Sequence, residues 1–215
     1  MVLDGFVEGA HAVFEQFKKG LLSIDPVFFA ENYLTLDGKP FRLNGNGYKP
    51  FADIYRYIGV NALSEDAKPV VMVKGRQVGA TTMAATLELF FMASGLFGTH
   101  NRPPMRVMHC FPLLDLAYTY TKTKLNTMIS TAVTDESVKV GGKYKTCVET
   151  KIDKSGSSSD SLQYKPFQHG NHVLIESTGL TADRLRGRQL CLETELPTPT
   201  GFVKLNNLKK GDRLF

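Results

Sequence analysis

Residues 70–82 read VVMVKGRQVGATT, and the fold turns on them. Val70, Val71, Met72 and Val73 form a short, mostly β-branched apolar run between Pro69 and a glycine-containing stretch, the pattern of a strand buried on both faces. Residues 75–79 then turn, and residues 81–93 carry a helical pattern. A strand that runs through a glycine loop into a helix aims backbone N–H groups and the positive end of the helix dipole at one point, which suits a phosphate. Against the G-x-x-x-x-G-K-[ST] spacing, Gly79 is the second glycine and Thr81 the hydroxyl that ligates magnesium. Lys74 stands where the first glycine belongs and Ala80 where the lysine belongs. Such a loop brings its two ends together, so Lys74 is placed to supply the missing charge from the strand's end, with Arg76 as its rival. Spacing alone leaves a nucleotide site and a plain strand-to-helix turn both open.

Outward from this segment, residues 106–111 read as a second strand. A helix is expected from Pro112, with Leu114, Ala117, Leu125 and Met128 on one stripe. Strand, helix, strand, helix implies a parallel α/β sheet. Upstream, residues 10–22 repeat apolar residues at helical spacing. Asp25-Pro26 reads as an N-cap followed by proline at the first helical position, opening a helix through Tyr33. Residues 36–48, rich in Gly and Asn, read as loop or a small hairpin. Past Thr134 the pattern changes to Gly141-Gly142, an extended stretch over 144–152 and a serine-rich segment over 155–160. Strands at 162–167 and 172–177 follow, with a turn at His169-Gly170-Asn171, and a short helix from about Thr181 leads to Arg184-Leu-Arg-Gly-Arg188. Glu176 reads as the end of an ordinary strand.

Composition sets the bounds. The chain has 215 residues, of which 42% are apolar and 22% charged, enough for one domain and a remnant and incompatible with a collagen-like or wholly disordered chain. The longest apolar run carries Glu88 and falls short of the ~20 residues that span a bilayer, and no secretory signal is visible, so a soluble protein is expected. Three cysteines, Cys110, Cys147 and Cys191, share no metal-ligand spacing, which makes a reducing compartment the default. Net charge is +5. Residues 59–190 hold 16 basic and 11 acidic side chains, so the surplus lies in the middle. That fits a polyanion such as nucleotide or DNA, and equally an ordinary solvated surface.

Lys74-Gly-Arg-Gln-Val-Gly-Ala-Thr-Thr82 resembles the P-loop of the large terminase subunits of tailed bacteriophages, in a subset of which the lysine is displaced to the loop's start. The resemblance extends to residues 25–33 and 48–55, to residues 106–129, and to the Arg-Gly segment at 183–188. It implies an ATPase with ATP and Mg2+ as cofactors, ATP contacts from Lys74, Gly75, Arg76, Gln77, Val78, Gly79, Ala80, Thr81 and Thr82, and a further ATP or DNA contact from Arg186 and Arg188. It also implies DNA, a portal and a small terminase subunit as partners, no membrane, and the cytoplasm of an infected bacterium as the setting. The family's ATPase next needs an apolar strand ending in acidic residues that hold magnesium and polarise water. No such strand follows Arg188.

Residues 191–215 read CLETELPTPTGFVKLNNLKKGDRLF instead. A turn over 197–201, a short strand over 202–205 and another turn at Lys210-Gly211-Asp212 are β chemistry, foreign to a parallel sheet awaiting its next strand. This stretch resembles the opening motif of inteins, with Cys191, Leu192, Thr198, Pro199, Gly201, Leu208, Gly211 and Asp212 at the matching places. The resemblance implies that the Cys191 thiolate attacks the carbonyl of Leu190, turning a peptide bond into a thioester that a second fragment intercepts. The later intein motifs are missing, so a complementary C-terminal fragment is implied.

The expected organisation is an entry segment of helices and loops over 1–58, the N-terminal half of a P-loop ATPase core over 59–190, and an all-β intein segment over 191–215. Two other classes stand beside it: a nucleotide- or DNA-binding α/β module whose tail is its last hairpin, and a complete P-loop enzyme of metabolism, which the missing acidic strand disfavours.

Overall fold

The structure, a computed structural model, describes residues 2–43, 49–64, 66–72, 79–154, 160–177, 195–198, 201–204 and 207. Helix α1 (Val2–Ile24) extends well beyond the expected 10–22. It joins the core at its last turns, where Leu22 is buried and Ser23 Oγ donates to the Ser94 carbonyl at 2.9 Å, while Val13, Phe14 and Phe17 stay exposed. Helix α2 (Pro26–Tyr33) starts as expected. The Asp25 carboxylate accepts from the Val27 and Phe28 N–H groups at 2.8 and 3.3 Å, satisfying donors that the helix leaves over, and Pro26 occupies the position where a missing N–H costs nothing. The same carboxylate pairs with Arg56 at 3.0 Å, tying α2 to α3 (Lys49–Leu63). The expected boundary at 58/59 falls inside α3. Between α2 and α3, residues Thr35–Leu36 (β1) and Lys39–Pro40 (β2) pair as a small antiparallel hairpin, with Asp37 and Gly38 at positive φ in the turn.

Helix α4 (Ala80–Ala93) is apolar nearly all round, which marks a helix enclosed by neighbours, and every residue from Ala85 to Ala93 is buried. Phe29 and Phe90 meet edge to face at 5.6 Å between ring centres, and Phe91 meets Phe97 the same way at 6.1 Å. Each of these buried rings contributes on the order of 2–3 kcal/mol. Gly59 on α3 passes so close to Pro26 that a Cβ there would lie 3.0 Å from the proline ring. One apolar cluster, running from Val27 to Ile175, joins α2, α3 and α4 to the strands that follow.

Strand β3 (Arg106–Phe111) has the expected bounds. The helix beyond it is interrupted: α5 (Leu114–Tyr120) passes through a π turn over Thr121–Leu125, in which Asn126 N–H bonds to Thr121 O, and resumes as α6 (Asn126–Ser130). Ala117, Leu125 and Met128 are buried as the stripe requires, whereas Leu114 is 36% exposed at the helix start. Thr121 Oγ1 bonds to the carbonyls of both Ala117 and Leu162.

The stretch after Thr134 contains a hairpin that the periodicity did not announce. β4 (Thr134–Val140) and β5 (Lys143–Thr146) pair antiparallel around Gly141 and Gly142, whose φ values of 58° and 82° match a tight turn with both central residues left-handed. The extended stretch expected over 144–152 therefore ends at Thr146, where Glu149–Lys151 turns into a 3-10 helix. β6 (Tyr164–Pro166) and β7 (His172–Ser177) flank the expected turn, with His169 and Gly170 at positive φ.

The three-stranded sheet has the order β3-β7-β6, with β3 and β7 parallel and β6 antiparallel to β7. The expected strand over 70–73 is not in it. Residues 70–72 have no strand conformation and Val71 is 83% exposed; Val73 lies outside the described residues. A strand buried on both faces needs a neighbour to complete its ladder, and no strand pairs with residues 66–72 among the described residues. The run is held at its start, where the Asn61 side chain bonds both to Lys68 N and to Lys68 O. β8 (Glu195–Thr198) and β9 (Gly201–Lys204) form a separate antiparallel hairpin. Pro197 and Thr198 thus belong to a strand rather than a turn, because Thr198 pairs with Gly201 and encloses only two residues. Among the described residues the chain is mixed α/β, with helices around small sheets.

Candidate functional site

The described part of the phosphate-loop segment is the start of α4. Gly79 caps it in the left-handed conformation, φ 76° and ψ 14°, which an L-residue with a side chain adopts at a cost of about 1–2 kcal/mol. A Cβ at Gly79 would meet nothing within 4 Å, so the glycine answers to backbone conformation and not to crowding. Met83 N–H bonds to Gly79 O at 2.9 Å, starting the helix there. The N–H groups of the first turn have no carbonyl within the helix to accept them, and they carry the positive end of the dipole. Thr81 is exposed on this turn, and Thr82 O accepts from Thr86 Oγ1 at 2.8 Å. The next turns are locked in the core, so the opening turn of α4 is a fixed platform. Lys74, Gly75, Arg76, Gln77 and Val78 lie outside the described residues, as do Arg186, Arg188, Leu190 and Cys191.

Two turns farther along α4 is a polar cluster that sequence reasoning did not assemble. Glu88 is 5% exposed, with its Oε1 2.5 Å from His109 Nδ1 on β3 and its Oε2 accepting from the Tyr120 hydroxyl of α5 at 2.7 Å. With Glu88 ionised, His109 carries its proton on Nδ1 and donates. His109 stacks on Phe111 at 4.3 Å and meets Tyr120 edge to face at 4.5 Å. Burial pushes the Tyr120 hydroxyl far above the ordinary tyrosine range, and the neighbouring Glu88 carboxylate adds to the shift. On α3, burial raises the Tyr55 hydroxyl to about 12. The signal available beforehand was one carboxylate inside an apolar helix, since Glu88 is the only charged residue of ATTMAATLELFFMA.

Magnesium fits this site in part. Thr81 offers one hydroxyl, while Glu88, with both oxygens engaged by His109 and Tyr120, is not placed to serve as a ligand. Among the described residues no three His, Cys, Asp or Glu side chains gather as a metal-holding group. A phosphate suits the α4 platform better than a bare cation does.

Comparison of the chain with protein-family models, curated proteins and solved structures gave no match. Glu176, in β7, stands opposite Cys110 of β3 and is half-buried. On the face of the β3–β7 pair that carries Val107, His109, Val173 and Ile175, the last two are fully buried; on the other face Met108 and Cys110 are exposed. Parallel strands are ordinarily covered on both faces, and on this second face Leu174 and Glu176 of β7 are half-buried beside the exposed Met108 and Cys110 of β3. Among the described residues β3 is also a sheet edge. No described helix is long and apolar enough to cross a membrane.

Proposed function

We propose that this chain is the N-terminal precursor of a DNA-packaging ATPase of the terminase type, completed when a split intein beginning at Cys191 joins residues 1–190 to a second fragment. The observation that supports the reading is the exposed apolar run ahead of the phosphate loop. Val70, Val71 and Met72 are exposed and pair with no strand among the described residues. A strand supplied by a partner would give them a place. The antiparallel hairpin β8–β9 then belongs to the splicing element. A lone two-stranded hairpin is only marginally stable in water, and in this reading the complementary fragment supplies further strands.

In this reading ATP is held by Lys74, Gly75, Arg76, Gln77, Val78, Gly79, Ala80, Thr81 and Thr82, with Thr81 on magnesium and Arg186 and Arg188 reaching ATP or DNA. The acidic groups that activate water arrive with the second fragment. The portal and small terminase subunit would be later partners, in the cytoplasm of an infected bacterium. A second reading, a nucleotide- or DNA-binding module without splicing, draws on the fact that β8 and β9 close on each other as an ordinary terminal hairpin would.

Mixing the chain with a fragment that carries the remaining intein motifs separates the two. Mass spectrometry should show residues 1–190 ligated to the fragment's C-terminal portion and residues 191–215 released. Cys191→Ala should leave association intact and stop ligation, and an external thiol should cleave the wild-type complex after Leu190 but not the variant. Ligation by Cys191→Ala, or no mass change with wild type, would leave the second reading in place.

A further inference from the structure

We propose that the tip of the β4–β5 hairpin is a seat for the sugar–phosphate backbone of duplex DNA. The proposal deepens the packaging reading by naming an element that would touch the DNA. It concerns surface that neither the phosphate loop nor the splice junction uses.

Residues 139–145 hold Lys139, Lys143 and Lys145 and no acidic side chain. In the antiparallel register Lys139 faces Tyr144 and Val140 faces Lys143. Neighbouring rungs of a ribbon point to opposite faces, so Lys139 and Lys143 project from the two sides of the tip. Val140 and Tyr144 are 58% and 51% exposed, and Lys139 Nζ lies 5.2 Å from the Tyr144 ring centre. Lys145 stands opposite Asp135 at the base of the tip.

The root of the hairpin is rigid. Thr146 Oγ1 donates to Ile129 O at 2.7 Å, Thr146 N–H donates to Glu149 at 2.9 Å, Cys147 N–H bonds to Val133 O, and Val133 N–H bonds to Tyr33 O. The tip therefore projects as an arm whose ordering has already been accomplished by the core. A two-stranded ribbon fits a major groove roughly 12 Å wide, where cations on both of its faces meet phosphates on both walls. A flat acidic protein patch would engage one face of the ribbon and leave the lysine of the other without a partner.

The test uses the whole chain, without nucleotide or splicing partner, and a fluorescein-labelled duplex of mixed sequence about two helical turns long. Anisotropy titrations run from about 50 to 200 mM salt. Each phosphate contact contributes about 0.9 to the slope of log affinity against log salt, so two to three lysines account for a slope of roughly 2 to 3. Over that salt range the wild type should lose roughly 10- to 40-fold more affinity than the triple variant Lys139→Gln/Lys143→Gln/Lys145→Gln. The variant should melt with the wild type, since these side chains lie outside the apolar core, and the corresponding triple arginine variant should keep binding. The duplex should be preferred over its single strand, and polyglutamate should not displace it. An unchanged salt slope in the glutamine variant, absent duplex binding at the lowest salt, tighter single-strand binding, or displacement by polyglutamate would each overturn the proposal. None of these would affect the splicing reading, whose assay contains no DNA.

Discussion

Replacing Glu88 by alanine should destabilise the chain by about 3–5 kcal/mol. The carboxylate is 5% exposed and accepts two hydrogen bonds, from His109 Nδ1 at 2.5 Å and from the Tyr120 hydroxyl at 2.7 Å. Hydrogen bonds to a charged group contribute about 1.5–3 kcal/mol each, and truncation strands two donors in a largely buried region. Glu88→Gln should cost only about 1 kcal/mol. The amide oxygen can still take the tyrosine proton, and the amide NH2 can donate to His109 Nδ1 once the imidazole moves its own proton to Nε2. Tyr120→Phe should fall between the two, at about 1–3 kcal/mol, because it leaves one carboxylate oxygen unmatched while the ring still packs against His109. Urea unfolding followed by circular dichroism measures all three, and the double variant Glu88→Gln/Tyr120→Phe gives the coupling. If glutamine proves as damaging as alanine, or alanine costs less than about 1 kcal/mol, the cluster is not a satisfied buried network and the reasoning from its hydrogen bonds fails.

Two glycines at similar positive φ should respond differently to alanine. At Gly98 a Cβ would collide with the His169 carbonyl oxygen, so Gly98→Ala should cost well over about 2 kcal/mol, while Gly79→Ala, with open space around it, should cost only the left-handed strain of about 1–2 kcal/mol; equal melting temperatures for the two variants would contradict this. Stability should also fall on the alkaline side. Burial raises the Cys147 thiol above 9.0 and the hydroxyls of Tyr33 and Tyr55 above 10.0, so the unfolded chain releases these protons first. Their contribution is complete below about pH 9 and fades above it, first through Cys147 and then through the tyrosines. Unfolding free energies measured from about pH 7 to 11 should show the decline, Cys147→Ala should flatten its early part, and a flat or rising profile would refute it.

Elements fixed by short-range chemistry were legible in the sequence. Asp25 and Pro26 define the start of α2 through bonds made within three residues, β3 and β7 are dense in apolar side chains, and His169-Gly170 supplies the positive φ that its turn demands. Long-range partners decided the rest. Val70, Val71 and Met72 have the composition of a strand, but a strand is a ladder with a neighbour, and the described chain provides none. The β4 strand was hidden because its TDESVKV sequence, polar at most positions, follows an exposed arm instead of a core-facing face. At the site, the glycine that caps α4 could be read from spacing. The meeting of Glu88, His109 and Tyr120 could not, since it depends on three elements up to 32 residues apart converging in space.

The π turn over Thr121–Leu125 has a consequence for the permissible length of the chain. Such a turn absorbs one residue more than an α-helical turn while leaving the helix on either side in place. Thr121 is anchored to Leu162 and Leu125 is fully buried, whereas Lys122 and Thr123 between them are exposed. Deleting Thr123 would turn the segment into continuous α-helix, with Ala117, Leu125, Met128 and Ile129 still facing inward. The same deletion one turn earlier or later would swing every following side chain by about 100° and carry that apolar stripe out to solvent. This helix can therefore shorten by a residue at one place along its course, and natural variants that differ in length here should carry the gap between Thr121 and Leu125.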